Sequence, residues 1–242
     1  MLNTYLSATQ ALLQNPAAPS ALYDLAFLTT AINTARNQLA GESECIRALG
    51  TINTVLSIRN YNFASINVGV SATTGIQQVL NVRDMFYAVA SGQKWVRPRP
   101  WEWFRLFKMN NPVPKSGFPE VWSQFAQGAT GSFYIDPIPD LIYVLQSDCV
   151  CLPIPLVDNT TVEAIPPLWQ DAVPYFAAFV ALLSAQSGAR SADANRMMER
   201  YDFFVNRARR FSNPSVNRGQ YEQERDPTMM NKIGLQQKAA GG

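Results

Sequence analysis

The chain has 242 residues, 47% apolar and 16% charged, with a formal net charge of +2. That length supports a sizeable buried core in one large or two small domains, and the charged fraction falls below the roughly 25% of an average soluble domain. With no histidine anywhere, the usual neutral-pH general base, proton shuttle and commonest metal ligand are all missing.

Two readings of the low charge stand side by side. A surface poor in charge is easily desolvated and suits a chain packed against others; a surface of Asn, Gln, Ser and Thr is simply polar. The charge is unevenly placed. From Arg207 to Gly242 seven basic residues face three acidic ones, so this end carries +4 and residues 1–206 carry −2. Cys45, Cys149 and Cys151 are odd in number and lack zinc-type spacing. Cys149 and Cys151 share one face of a strand-like run and read as small apolar fillers, in keeping with assembly in a reducing cytoplasm. The N-terminus shows no signal-peptide pattern, and the longest uncharged apolar run, Ala172 to Leu183, is interrupted by Pro174 and falls short of the roughly 20 residues of a membrane span. A soluble protein that does not engage membranes is expected.

In chain order, Leu2, Tyr5, Leu6, Thr9, Leu12 and Leu13 predict a helix stopped by Asn15-Pro16. A second helix is expected after Pro19, with Ser20 as N-cap, Asp24 in its first turn and Gly41 as its end. Its stripe is Leu22, Leu25, Leu28, Ile32, Ala35 and Leu39. From about Cys45 the period approaches two. Ile52, Thr54, Leu56 and Ile58 alternate, and a phase change between Phe63 and Ile66 predicts a bulge or turn near Ala64-Ser65. Ile76, Leu80 and Val82 predict a strand leading into Met85–Val89.

In "KWVRPRPWEWFRLFKMNNP", aromatics interleave with Arg97, Arg99 and Arg105. Such a stretch can stack on nucleic-acid bases or plug a hydrophobic surface under a loop with its arginines outward. The plug is favoured, because no wider basic surface accompanies it. Val121–Gln127, Gly131–Asp136 and Leu141–Val150 are strand candidates, the last two expected to pair as a hairpin through Pro137-Ile138-Pro139-Asp140. Pro153 and Pro155 lead the chain out of the sheet. Asp171 is placed to cap a helix with Pro174 at its third position, and Tyr175 to Leu183 is apolar nearly all round. A last helix carries Ala194, Met197, Met198, Tyr201, Phe204, Val205, Ala208 and Phe211 on one stripe. Residues 213–242 have no periodicity and read as an extended tail.

The resulting fold class is α+β: a helical bundle of N- and C-terminal helices (residues 1–44 with 158–212), a β-rich sandwich-like insert (45–157) and a C-terminal tail (213–242). No reaction centre emerges. "GVSATTG" lacks the lysine of a phosphate loop. Asp136 and Asp140 read as turn residues sooner than a catalytic carboxylate pair. Glu199 and Asp202 lie among arginines as a solvated face. Neither catalytic groups nor a cofactor or metal site are assigned. For the tail, docking on a protein groove is favoured over a frayed terminus or a phosphate-binding arm.

Three stretches carry a family likeness: "GTINTVLSIRNYNFASINV", "GFPEVWSQFAQGATGSFYIDPIPDLIYVLQSDCVCLPIPL" and "IPPLWQDAVPYFAAFVALLSAQ". With the final amphipathic helix, this order resembles the head-to-tail adaptor proteins of short-tailed bacteriophages over about residues 20 to 212. The residues bearing it are Pro137, Pro139, Asp140 and Tyr143, then Asp171, Pro174 and Tyr175. The resemblance implies a structural virion protein of the particle neck, assembled in the host cytoplasm. It implies a ring, usually of twelve copies, beneath the portal protein, with tail nozzle or tail fibre proteins on the far side. Genomic DNA would pass through the lumen without sequence-specific binding. The tail, with Arg207, Arg210, Arg218, Tyr221, Arg225, Met229, Met230, Ile233 and Leu235, would dock into portal clefts. The reading kept beside it is a stand-alone protein-binding module, a β-sandwich reader on a helical base; a hydrolase ranks last.

Overall fold

A computed structural model of the chain describes residues 1–15, 22–70, 73–89, 92–110, 115–184 and 191–212. The first helix, α1 (Leu2–Leu13), ends at Gln14 in the left-handed conformation, as its stripe predicts. The second, α2 (Leu25–Ser43), differs from expectation at both ends. It starts behind Asp24, which has extended backbone angles, while Ser20 lies outside the described residues. The Asn15 side chain explains the late start. Its Oδ1 accepts the amides of Leu22 (2.7 Å) and Tyr23 (3.3 Å), which ties this segment back to α1. At the other end Gly41 does not terminate the helix. It lies inside α2, and the left-handed residue is Glu44, whose amide reaches the Ala40 carbonyl at 3.0 Å.

Strands β1 (Arg47–Asn53), β2 (Asn60–Asn62), β3 (Ile76–Val89) and β4 (Gly92–Pro98) follow. The alternation expected to run to Ile58 stops at Asn53, and Leu56 and Ile58 stand exposed in a turn. A 3-10 turn at Phe63–Ser65 accounts for the phase change between Phe63 and Ile66. After β4 a short helix, α3 (Trp101–Phe104), continues as a wider π-type turn over Arg105–Met109. Strands β5 (Val121–Phe125), β6 (Ser132–Asp136) and β7 (Val144–Pro153) complete the sheet, and α4 (Ala172–Ser184) and α5 (Ser191–Ser212) complete the helices.

Hydrogen bonds link the strands in one order, β1-β7-β3-β4-β5-β6-β2. The expected β6–β7 hairpin is therefore wrong. Both edges of β7 are taken by β1 and β3, and both edges of β6 by β5 and β2. The Pro-Ile-Pro-Asp connection crosses between separate parts of the sheet. The two ends of the order come close, because Asn67, just beyond β2, exchanges backbone hydrogen bonds of 2.8 and 3.0 Å with Thr51 of β1. This curl demands small residues. A Cβ on Gly50 would lie 2.3 Å from Ile66 Cγ2, and one on Gly131 would lie 2.3 Å from the Phe63 ring.

One hydrophobic cluster runs from the helices into the sheet, from Leu2, Ala35 and Tyr201 to Val79, Cys149 and Phe133. Helix α4 packs on α1, α2 and α5, while α2 lies on β7. At that junction sits Arg36, only 1% exposed, against Glu163 at 4%. The guanidinium donates to Glu163 at 2.8 and 3.0 Å, to Asn33 Oδ1 at 3.1 Å and to the Ile154 carbonyl at 2.7 Å. Asn33 in turn bonds both the amide and the carbonyl of Leu156. The chain leaving β7 is thereby fastened to α2 at several successive points.

Removing one partner of a buried ion pair strands the other charge and costs about 3–5 kcal/mol. Arg36→Met is expected to lose that much in urea denaturation, and the double change Arg36→Met with Glu163→Leu to recover a large part of it. A single variant within about 1 kcal/mol of wild type, on the scale of an exposed pair, would contradict this account.

The buried thiols give a pH dependence. Burial, followed by the charge of Cys151, pushes Cys149 up to about 12, and burial pushes Cys151 up to about 11. Both exceed the ordinary thiol value of 9.0, so the folded chain keeps protons that the unfolded chain releases. Their contribution is complete below pH 9 and is lost as pH rises through 11–12. Under reducing conditions the urea midpoint should fall between about pH 8 and pH 11, and less so in Cys149→Ala/Cys151→Ala. An equal fall in both proteins would count against the thiols.

Candidate functional site

The two carboxylates weighed as a pair, Asp136 and Asp140, have different surroundings. Asp136 is 4% exposed and its carboxylate is held by Arg59 (3.1 Å) and Lys108 (2.8 Å). It is an ion-pair centre joining β6, the entry to β2 and the π-type turn, more than the turn-former expected. Asp140 instead accepts the Tyr143 hydroxyl at 2.6 Å, and this bond pushes the phenol up to about 12. The two carboxylates thus have separate partners and no shared proton.

The aromatic-basic stretch is a plug in part, since Trp95, Leu106 and Phe107 are more than half exposed. Phe104 is fully buried, and Trp101 packs on Phe125 (4.9 Å) and Tyr134 (4.8 Å). Arg99 lies over Trp103 at 5.1 Å. These rings spend their faces on the protein itself.

What the fold does build is a pair of loops held together by backbone bonds, with apolar side chains exposed on them. Thr54 closes two loops on each other. Its amide donates to the Tyr143 carbonyl (2.8 Å), and its hydroxyl accepts the Tyr143 amide (2.8 Å) and donates to the Leu141 carbonyl (3.2 Å). The Ser57 amide adds a bond to the Pro139 carbonyl at 3.0 Å. Beneath, the Tyr61 hydroxyl accepts the Val55 amide at 2.9 Å and donates to the Ile58 carbonyl at 3.0 Å. On this fixed backbone Leu56 (58% exposed), Leu141 (63%) and Ile142 (73%) project into solvent. They stand on two loops that these bonds hold side by side, the apolar tip of the strands.

The opposite ends of the same strands meet the helices. Arg47, at the start of β1, pairs with Asp148 and donates to the Ser212 carbonyl at 3.1 Å. Arg209 donates to the Glu42 carbonyl at 2.6 Å. These bonds fasten the end of α5 to β1 and to the end of α2. Ser212, the last described residue, is therefore held about 20 Å from the loop end of β1, at some 3.3 Å per strand residue.

The sequence-derived site residues divide between these ends. Pro137, Pro139, Asp140 and Tyr143 lie in the connection that forms the tip. Asp171 immediately precedes α4, and Pro174 is buried within it. Tyr175 stacks on Phe204 at 5.8 Å. Arg207 and Arg210 are exposed on α5. Arg218, Tyr221, Arg225, Met229, Met230, Ile233 and Leu235 lie outside the described residues.

A family model described as SU10 adaptor protein matches residues 3–222. The chain belongs to this family of phage adaptors. Among curated proteins, none matches the chain. Membership gives the adaptor a structural place in the virion and implies contacts with other virion proteins. No helix among the described residues is long and apolar enough to cross a membrane.

Sequence reasoning missed the apolar tip of the adaptor, because Leu56 and Ile58 extend a convincing strand alternation. The signal available was Leu141-Ile142 directly after Pro-Asp, an apolar pair in a turn. If the tip is contact surface, Leu141→Ser/Ile142→Ser should leave the melting temperature within about 2 °C of wild type, since exposed changes stay near 0.5 kcal/mol. Thr54→Ala should lower stability by about 1 kcal/mol, because it removes two part-buried hydrogen bonds to the Leu141 and Tyr143 backbone. The reverse order of effects would mean that the tip belongs to the core.

Proposed function

We propose that this adaptor forms the ring beneath the portal of a short-tailed phage, twelve copies by resemblance, and links the portal to tail components. The arrangement supporting this most directly is the separation of two chemically different ends on one rigid strand pair. One end is the ordered apolar tip. The other is the helical end, from whose anchored Ser212 the basic C-terminal segment departs. An adaptor needs this arrangement, because its two partners must be held at fixed distance and orientation.

In this reading residues 213–242 reach into portal clefts and order on docking, and the tip meets a nozzle or tail fibre protein. The genome passes through the lumen held by no base-specific contact. Apolar area repeated around the ring would supply the cohesion. At about 25 cal/mol per Å², a standard contact of roughly 1,600 Å² gives a large gross gain, much of it offset by ordering. A stand-alone binding module would use one such end and leave the other idle.

Mass measurement of the purified chain mixed with purified portal should give a complex with several adaptor copies per portal. Deleting residues 213–242 should abolish that complex while leaving the circular dichroism spectrum and melting temperature of the remainder intact. Full docking by the truncated chain would remove the tail from the interface. A chain that stays monomeric with portal present would favour the stand-alone module.

A further inference from the structure

Helix α5 carries a second feature on the face turned away from the core. Ala194, Tyr201, Val205 and Ala208 are buried. On the opposite side Arg196, Arg200, Phe203, Arg207 and Arg210 are all exposed, at spacings of four, three, four and three residues. That spacing puts them on one stripe, about 21 Å long at 1.5 Å per residue. Arg209, off the stripe, is bound to Glu42. Arg196 meets Asp193 only at 3.5 Å with both side chains open to solvent. Among the described residues Arg200, Arg207 and Arg210 make no ion pair.

The stripe is not purely electrostatic. Phe203 is 57% exposed in its middle and borders a recess between α4 and α5. Tyr175, Met197 and Phe203 supply the apolar lining, with Arg196, Arg200 and Glu199 around it. The stack of Tyr175 on Phe204 and the edge contact of Phe203 with Phe204 (5.7 Å) support the aromatic wall. Charge alone would suit a polyanion such as duplex DNA. An apolar recess inside the basic stripe suits a protein segment that inserts one apolar side chain between carboxylates, since buried aromatics and arginines dominate such contacts.

We propose that the outward face of α5, from Arg196 to Arg210 with the recess beside Phe203, docks an acidic protein segment bearing an apolar anchor, and that the portal supplies it. This rests on the adaptor reading above and extends the docking surface from the tail back along the helix that leads into it. Arg207 and Arg210 end the helix that leads into the tail which the adaptor reading assigns to the portal, and this is why the portal is named as the partner. The arginines steer the encounter and the recess holds the anchor.

The test uses the full-length chain and purified portal, with docking measured across salt concentrations. Arg200→Glu/Arg207→Glu should weaken docking about a hundredfold at low salt, roughly tenfold per reversed charge, and flatten its salt dependence. Phe203→Ala should weaken it about tenfold or more with the salt dependence unchanged. All these side chains are exposed, so melting temperatures should stay at the wild-type value, which checks folding. Wild-type docking matched by both variants overturns the proposal and leaves the adaptor reading standing. Wild-type failure to dock overturns both. Reversal that spares portal docking but abolishes retention of non-specific duplex DNA assigns the face to the genome. Reversal that disperses a ring of the isolated chain assigns it to a neighbouring copy. Either of these last results refutes the portal assignment.

Discussion

The buried contact between Arg36 and Glu163 is the constraint from which the rest of the molecule takes its arrangement. A guanidinium and a carboxylate in an apolar interior must find each other, because neither charge can be left there alone. Arg36 stands on α2 and Glu163 follows the exit of β7, so their pairing fixes helices against sheet. Asn33, one turn earlier, reinforces the joint through the Leu156 backbone. The hydrophobic cluster is then continuous across the junction. Force applied at one end of such a body reaches the other with little internal give.

That rigidity is what connects the fold to an adaptor's task. The tip depends on Thr54 and Tyr61, which convert two loops into a single stiff support. The departure of the C-terminal segment depends on Arg47 and Arg209, which secure the end of α5. A flexible protein with the same exposed leucines and arginines would lose much of its binding gain to ordering. Here the loop backbone around Thr54 and Tyr143 and the end of α5 at Ser212 are already held in the folded chain. Charge is spent sparingly on the surface and used inside, at Arg36–Glu163 and at Arg59–Asp136–Lys108, where it locates elements relative to one another.

The helices were largely legible in the sequence, because a 3.6-residue apolar period over a dozen or more residues leaves few alternatives. The α5 stripe, with Ala194, Tyr201, Val205 and Ala208 buried, lies as the spacing required. Phe211, on the same stripe, is 67% exposed although its ring meets Trp169 at 5.7 Å. Boundaries were less legible. Asn15 claimed amides that the expected start of α2 needed, a contact no local pattern announces. The candidate residues were legible as types, but their grouping was not. Asp136 and Asp140 are four positions apart, yet one faces two cations and the other a tyrosine.

By itself the sequence determined the α+β character, the helical ends around a strand-rich middle, the inert thiols and a likeness to the family. These follow from local periodicity and from residue chemistry, which neighbours in the chain suffice to express. Only the tertiary structure decided which strands pair, that β6 and β7 lie apart, and that Leu56, Leu141 and Ile142 share one exposed tip. Pairing is settled by competition for strand edges among segments far apart in the chain. A short turn between two apolar runs therefore suggests a hairpin even where β1 and β3 have already claimed both sides of β7.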